Sequence, residues 1–501
     1  MKRACACMAA MALVAMSGCK VGPNYQAPQT ALPEQFSEAT TRPTTLPVEL
    51  SAWWTVFNDP ALDSLIGRAI ETNIDLRMAA LRVREARALR GITAAGLFPT
   101  ADASGLYQRS RISSSTAIGA LASGGGAATP GGGTGIPKGP GSAAGAIAFP
   151  GFEEDLWQGG VDASWELDVF GGVRRALEAA DADIAAVLEA HHDVLVILTA
   201  EVARNYIELR GFQRQLSIAQ ENLSAQRQTL DLTQSRFKAG LTGQLDVTRA
   251  EAQVASTEAT VPIFQTAVKR AMYRLAVLLG QAPETLAAEL APVAAIPNGP
   301  PQIPAGLPSE LLRRRPDIRR AERQIAAATA RIGVATADLY PKFSLTGQFG
   351  LQSDSFAKWG NWNSRFWSFG PAVTWSIFTA GRVRSNIDVQ NTRTAEAIEQ
   401  YRQTILLALE DVENALAAHT SEQARRKSLA AAVAANQRSV ELATELYTKG
   451  LVDFLSVLEA QRSLFASQDQ LAQSERAVSA DLVAIFKALG GGWGEGEAQA
   501  K

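Results

Sequence analysis

Three carboxylates stand at alternate positions in the stretch 157–169 and are the first candidates for chemistry. Asp162, Glu166 and Asp168 alternate there with apolar residues, at the period of two that places side chains on one face of a β-strand. A pair of carboxylates can work as general acid and base, but the sequence around them offers no supporting catalytic partner. The spacing therefore favours carboxylates that line a pore over a catalytic site.

A second group, His191, His192 and Asp193, has the residue types of a metal site. The three residues are consecutive within a long helical pattern, so their side chains point in different directions. A packed or solvated patch is the better interpretation. After removal of an amino-terminal leader, Met78 and Met272 are the remaining methionines, which excludes a ladder of sulfur ligands for Cu(I). The sequence predicts no metal site and no enzymatic activity.

Cys19 is a candidate for covalent modification. A positively charged start, an apolar run over 4–16 and two small residues precede it, which is the pattern of a secretory signal peptide over 1–18. The four residues that end at Cys19 resemble a bacterial lipobox. Cleavage would remove Cys5 and Cys7, so Cys19 could not form an intramolecular disulfide. We therefore predict a covalent lipid on Cys19, with no other cofactor; a secreted protein with a stray cysteine is the alternative.

The element that dominates the chain is a run from Arg382 to Lys449 without Gly or Pro. As one α-helix this run would be about 100 Å long. A pattern of that length indicates a coiled coil, a membrane span or a helical repeat, and its scattered charges exclude a membrane span. Every seventh residue from Ile405 to Tyr447 is apolar except His419 and Arg426, which is typical of a coiled coil.

The same helix occurs a second time, 210 residues earlier. Every seventh residue from Leu195 to Phe237 is apolar. The segments that enter and leave the two helices match as well: Trp165–Arg174 with Trp375–Arg384, and Phe237–Leu241 with Tyr447–Leu451. Repetition over this length predicts an internally duplicated fold.

Two strands precede each long helix. The stretches 157–169, 343–351 and 367–377 alternate between apolar and polar residues, as barrel strands with a lipid face and a wet face do, and a weaker strand surrounds Ala103. The Gly-rich segment 113–151 predicts a long loop between the first two strands. Four strands cannot close a barrel, and open edges are not tolerated in lipid. Several chains must therefore share one barrel; the edge of a soluble sandwich is the alternative.

The rest of the chain divides around these repeats. After the signal peptide at 1–18 we predict a lipidated Pro-rich tether at 19–61, a first repeat at 62–283, a linker at 284–308, a second repeat at 309–490 and a tail at 491–501. Within the first repeat, 62–96 and 245–279 are each expected to form one helix, and the two stacked end to end would match one long helix. Trp53 and Trp54 are expected to pack where the tether docks.

Several short stretches, taken in order with the repeat, resemble one family. They are Cys19–Tyr25, Trp53–Pro60, Arg314–Arg319, Ala337–Gly347 and Leu458–Leu464. The chain resembles the TolC family of outer membrane factors, specifically the lipidated OprM/NodT type that works with RND efflux pumps. The resemblance implies a homotrimer. The predicted fold class is an α+β membrane protein whose duplicated strand–strand–long-helix unit supplies four strands per chain to a trimeric β-barrel, continuous with a long α-helical coiled-coil barrel.

The resemblance also implies a gate at the periplasmic tip and two docking turns. The gate positions correspond to Leu455 and Glu459, with Leu245 at the repeat-equivalent place; rings of leucine and glutamate would form a dry constriction and an acidic ring. Arg249 is the repeat equivalent of Glu459, which leaves cation selectivity open. The docking turns for an adaptor correspond to Gly240 and Leu241, and to Gly450 and Leu451; plain helix capping by glycine is the alternative interpretation.

The function implied is the outer membrane exit duct of a tripartite RND-type efflux pump, which passively conducts small molecules. Its expected partners are two further copies, a periplasmic adaptor, an inner-membrane RND transporter and outer membrane lipid. A net charge of −2 gives no argument for nucleic acid. A duct for type I protein secretion and a lipid-anchored periplasmic coiled-coil scaffold are the alternatives. The sequence does not indicate the cargo.

Overall fold

The structure is a computed structural model that describes residues 19–29, 33, 35–37, 50–111, 153–300 and 313–494. The described chain forms two compact units. The first takes in the residues up to Pro23, Gly91–Leu177 and Ala330–Val389, and the second takes in the rest. The predicted signal peptide and the Gly-rich segment 113–151 lie outside the described residues.

The first unit is built on one antiparallel sheet. Its strands are β1 (Thr100–Arg111), β2 (Glu153–Leu167), β3 (Lys342–Ser353) and β4 (Arg365–Thr374), and they lie in the order β1-β2-β3-β4. The prediction of two strands before each long helix is confirmed. Alternation identified these strands because their two faces meet different surroundings.

The longer helices of the described residues range from 13 to 67 residues. They are α1 (Pro60–Thr72), α2 (Ile74–Ala95), α3 (Gly172–Lys238), α4 (Gln244–Glu258), α5 (Val261–Leu278), α6 (Pro316–Ala337), α7 (Arg382–Thr448) and α8 (Phe454–Ala488). The two long helices, α3 and α7, each have 67 residues, and α7 covers the predicted run 382–449 except for its last residue. Among the described residues, no helix combines the length and the hydropathy that a membrane crossing requires.

The prediction of one helix over 62–96 was wrong, because the chain leaves helical geometry at Asn73. This residue has φ −60° and ψ 134° and ends α1. Its side-chain amide donates to the Leu278 carbonyl at 2.8 Å, and its side-chain oxygen accepts from the Leu76 amide at 2.9 Å. Asn73 thus caps the start of α2, the position where Asn is favoured. An Asn followed two residues later by Asp75 was a local signal for this break.

The single helix predicted over 245–279 was also wrong. Helix α4 ends at Glu258 and α5 begins at Val261, with Pro262 in the first turn of α5. Proline has no amide hydrogen, so it cannot continue the ladder of an unbroken helix and is tolerated at a helix start instead. The equivalent stretch of the second half, α8, has no proline and runs unbroken for 35 residues.

Residues 50–57 and 491–494 pack within the second unit. Trp53 is fully buried and stacks on Phe486 with ring centroids 5.3 Å apart, which confirms hydrophobic packing of the tryptophan pair. The start of the predicted tail is folded: Gly492 donates its amide to the Leu50 carbonyl at 2.7 Å, and Trp493 stacks on His192 at 4.5 Å. Stacking and burial make 491–494 part of the second unit.

Candidate functional site

The turn that joins α3 to α4 has the geometry of a helix cap closed by glycine. Gly240 has φ +72° and donates to the Phe237 carbonyl, while Leu241 donates to the Arg236 carbonyl, each at 2.9 Å. This is the Schellman pattern, in which glycine supplies the left-handed residue. Helix capping, the alternative interpretation, therefore explains why glycine stands at position 240.

The turn between α7 and α8 repeats that geometry. Gly450 has φ +75° and donates to the Tyr447 carbonyl, and Leu451 donates to the Leu446 carbonyl, again at 2.9 Å. A hydrophobic residue at the position of Leu451 usually packs back onto its own helix. Leu451 is instead 69% exposed, and Leu241 in the other turn is 66% exposed. Capping explains the two glycines but leaves both leucines with an exposed apolar surface.

The predicted gate residues lie just after these turns. Leu245 is the second residue of α4 and Leu455 the second residue of α8, and both side chains are exposed. Glu459 is exposed as well and lies four residues after Leu455, so the two share one helix face. The starts of α4 and α8 are joined by a small core in which Ala250 is buried with the apolar side chains that follow the second turn. The three predicted gate residues are therefore exposed beside a small packed core.

Asp453 is a charged residue near the predicted gate positions that the sequence did not single out. Asp453 caps α8 by accepting from the Ser456 amide and hydroxyl at 3.2 and 2.8 Å. These bonds lower the pKa of the Asp453 carboxyl, and the positive charge of Arg249 lowers it further. Arg249 also has Asp246 Oδ1 at 3.9 Å from its guanidinium. Two carboxylates of the same chain, Asp246 and Asp453, therefore lie near Arg249. The local sequence signal for the cap was an Asp, at position 453, three residues before a Ser.

Hydrogen bonds between polar side chains join α3 to α8 at several levels away from the turns. Gln461 donates to Thr229 at 2.9 Å, Asn222 to Gln468 at 2.8 Å, and Gln215 to Asp469 at 2.6 Å. Exchanging such bonds for bonds to water changes the free energy little compared with exposing apolar surface.

Asp162 and Glu166 lie on one face of β2, as predicted. Asp162 is opposite Asp102 of β1 on one side and Gln348 of β3 on the other, and Glu166 is opposite Ser344. Both carboxylates are exposed. Asp102 was missed, although the apolar alternation of Ala101, Ala103 and Tyr107 already placed it on the polar face.

The opposite face of the sheet is apolar and also exposed. Phe349, Trp367, Phe369 and Val373 are each more than half exposed, and they occupy the positions between the polar ones. An exposed apolar face of this extent marks an interaction with lipid or protein. The sheet therefore separates a polar environment from an apolar one.

Asp168 does not continue the row of Asp162 and Glu166, and this part of the prediction was wrong. Strand β2 ends at Leu167. The Asp168 carboxylate accepts from the amides of Val173 and Arg174 at 3.1 and 2.8 Å, and the Arg174 guanidinium donates to it at 3.1 Å. A carboxylate bound to the first turn of a helix stabilises the free amides and the dipole there. Asp168 anchors the start of α3.

We expect Asp168→Ala to lower the free energy of unfolding by about 1–2 kcal/mol, the usual cost of losing a cap. Asp168→Asn keeps an oxygen that can accept an amide bond but loses the ion pair with Arg174, so its loss should be smaller. Thermal unfolding of the three proteins would measure this order. Equal stability of wild type and Asp168→Ala would show that the carboxylate does not anchor the helix.

The histidine pair is packed, as the sequence indicated. The His192 ring lies with Nδ1 3.2 Å from Glu189 Oε2, beneath the Trp493 ring. Asp193 is paired with Arg320 at 3.4 Å, and burial raises the pKa of the Asp193 carboxyl. Among the residues that the structure describes, no cluster of His, Cys, Asp or Glu has the arrangement of a metal site.

Comparison with known proteins gives consistent matches over nearly the whole chain. The family model for outer membrane efflux protein matches residues 65–281 and 307–491. Nodulation protein T of Rhizobium leguminosarum bv. trifolii is 31% identical over 487 residues, which cover 95% of each chain. The toluene efflux pump outer membrane protein TtgF of Pseudomonas putida is 32% identical over 96% of this chain and 95% of its own. The solved outer-membrane channel OprN matches with a TM-score of 0.82 at 36% identity, over 95% of this chain and 100% of its own.

Proposed function

The chain belongs to the family of outer membrane efflux proteins, and from that premise we propose that three copies of it assemble into one duct. The protein is the outer membrane exit duct of a tripartite efflux pump. It lies in the outer membrane and extends into the periplasm. Its partners in this proposal are a periplasmic adaptor and an inner-membrane RND transporter, which supplies the energy.

The observation that carries the assembly is the two-faced sheet. One face bears Asp162, Glu166 and Gln348, and the other bears exposed aromatic side chains. Within the described sheet, β1 and β4 are the outer strands. Because open edges are not tolerated in lipid, these strands must pair with other copies, and the shared sheet closes into a barrel with its polar face inward.

We also propose that the two halves of the chain are copies of one unit. The long helices are equal in length, and the two capped turns have the same bonds. Trp165 donates its indole N–H to the Leu97 carbonyl at 2.9 Å, and Trp375 donates to the Leu339 carbonyl at 3.0 Å. Equivalent tryptophans therefore make equivalent contacts in both halves, which supports a duplication.

The sites on this duct are further parts of the proposal. Cys19 carries the lipid anchor, and its exposure leaves room for a lipid attached to its sulfur. The exposed Leu241 and Leu451 are contact points for the adaptor, because capping leaves their apolar surface uncovered. Leu245, Leu455 and Glu459 form the gate, and three copies of each would face one another across the axis.

Ion selectivity tests this proposal, because it depends on the polar face lining the lumen. We expect the purified protein to conduct in planar bilayers with a preference for cations. The variant Asp162→Asn/Glu166→Gln should lower that preference, since it removes two negative charges per chain from the lumen. The measurement is the reversal potential in a salt gradient.

The matched control is Asp155→Asn, which removes a carboxylate from the other face of the same strand. Its reversal potential should equal that of the wild type. Equal shifts in the two variants would contradict the assignment of the faces. A protein that stays monomeric and soluble without detergent would contradict the duct itself.

A further inference from the structure

The residues directly after Cys19 lie in a cradle of the first unit that is formed by Gly171, Arg175 and Gly333. Arg175, in the first turn of α3, is 2% exposed although it carries a charge. Its guanidinium donates to the carbonyl oxygens of Val21 and Gly22, at 2.9 and 3.2 Å. The Val21 amide in turn donates to the Phe170 carbonyl at 3.3 Å. A buried arginine is costly unless its donors are satisfied, so the amino-terminal segment completes the surroundings of this side chain.

Glycines on both sides of the contact make it close. A Cβ atom added at Gly22 would lie 2.5 Å from the Gly333 Cα, and one added at Gly333 would lie 2.8 Å from the Arg175 side chain. Gly22 also has φ +87°, a conformation that other residues adopt at a cost. On the other side, Lys20 Cα would lie 3.0 Å from a Cβ at Gly171. The segment therefore fits only with small residues at these positions.

The cradle lies beside an aromatic cluster near one end of the sheet. Phe170, which accepts the bond from Val21, stacks on Tyr340 with ring centroids 4.6 Å apart and lies near Phe343 at 6.5 Å. Phe343 is on the apolar face of the sheet, opposite Val373 of β4. Tyrosine, such as Tyr340 in this cluster, is enriched at the boundary between lipid and water. Docking thus brings Cys19 to the level at which the apolar face ends.

We propose that Gly171, Arg175 and Gly333 form an intramolecular receptor for residues 20–22, which holds the acylated Cys19 at the inner rim of the membrane-facing sheet. In this proposal the segment is a fixed mount rather than a loose tether, and Arg175 is its positioning residue. The proposal rests on the outer membrane location and on the lipid proposed for Cys19, but the docking can be tested without either.

Digestion with trypsin tests the docking, because a single bond between Cys19 and Arg68 is open to this protease. Lys20–Val21 lies inside the docked segment, Arg42 is followed by Pro43, which blocks trypsin, and the next basic residue is Arg68. A protease needs several extended residues, so the Lys20–Val21 bond is cut only when the segment leaves its cradle. The cleavage rate, followed by mass spectrometry of the new amino terminus at Val21, then reports the undocked fraction.

We expect slow cleavage in the purified full-length protein and cleavage at least about tenfold faster in Arg175→Met and Gly22→Val. Gly22→Val alters the segment and not the body, so it remains informative if Arg175→Met folds poorly. Gly333→Val is a second test variant, because a Cβ at this position meets the Arg175 side chain. Its matched control is Gly91→Val, because a Cβ at Gly91 meets no atom within 4 Å. Gly91→Val should behave as the wild type.

Two results would overturn the docking. One is fast cleavage in the wild type at the rate of Gly22→Val, and the other is the same slow rate in Arg175→Met, Gly333→Val and Gly22→Val. The released fragment that ends at Lys20 separates docking from lipidation, because its mass shows whether acyl chains are present on Cys19. An unmodified fragment together with slow cleavage would contradict lipidation of Cys19 but support the docking of residues 20–22. Unchanged conductance in planar bilayers would show that the duct is intact in every variant.

Discussion

Replacing Leu455 and Glu459 together with alanine is expected to raise the single-channel conductance in planar bilayers severalfold. The two residues share one face of α8, four positions apart, at its start beside the second capped turn. In the proposed trimer, three Leu455 side chains would form a constriction too narrow and too apolar to hold water, and such constrictions close channels by dewetting. Alanine shortens each side chain and removes the carboxylates, so the wild type should conduct little and the variant much more.

The control for this variant is Leu442→Ala/Glu441→Ala, which makes the same two changes on α7. Leu442 is 59% exposed, so its replacement should not disturb the core. Conductance equal to wild type in the control and raised in the gate variant would support the assignment. A wild-type pore that is already fully open would agree with the proposed duct but contradict the proposed gate. Equal effects of both variants would mean that general loosening, rather than Leu455 and Glu459, controls the opening.

Introducing Glu at both Leu241 and Leu451 is expected to abolish efflux while leaving the channel intact. Fully burying a leucine side chain contributes about 2 kcal/mol, which corresponds to about a 30-fold change in affinity per residue. Both leucines are two-thirds exposed while the glycines beside them form the caps, so the substitutions should spare the turns. The measurement is growth of a deletion strain carrying each variant, challenged with dyes, detergents, solvents and metal ions.

The matched control is Leu241→Ile/Leu451→Ile, which keeps an apolar side chain of the same size at each turn. It should restore growth close to that of the wild type. Conductance in planar bilayers must be unchanged in both proteins, because docking and conduction are separate properties in this proposal. Full tolerance with the glutamate pair would contradict docking at the turns. Lost tolerance together with lost conductance would indicate a folding defect instead.

The parts of the fold that could be predicted depend on local chemistry. The absence of Gly and Pro over 382–449 predicted a helix that the structure ends one residue earlier, at Thr448. Strict alternation located β2, β3 and β4, because a strand with two different faces repeats every second residue. Gly240 and Gly450 marked the turns because a left-handed residue at a helix end favours glycine. Each of these signals acts within a few residues.

The errors arose where a weak local signal needed a tertiary partner to decide it. Asn73 interrupts a helical pattern because its side chain can reach the Leu278 carbonyl, which is distant in sequence. Asp168 has the spacing of a strand residue, yet its carboxylate binds the first turn of α3. Pro262 was a plain local signal against one helix over 245–279, and the prediction did not take it into account. A helical or alternating period averages over such single residues, and their contacts determine the outcome.

The sequence by itself determined the family, the long helices, the strands and the capped turns of this protein, because periodicity and backbone preference are properties of neighbouring residues. The tertiary structure alone decided that Asp168 binds the first turn of α3, that Trp493 packs on His192, and that Arg175 binds the carbonyls after Cys19. Arg175 and Val21 are separated by 154 residues. No local pattern encodes that meeting, because it depends on how helices and sheet pack and on the free energy of satisfying a buried charge.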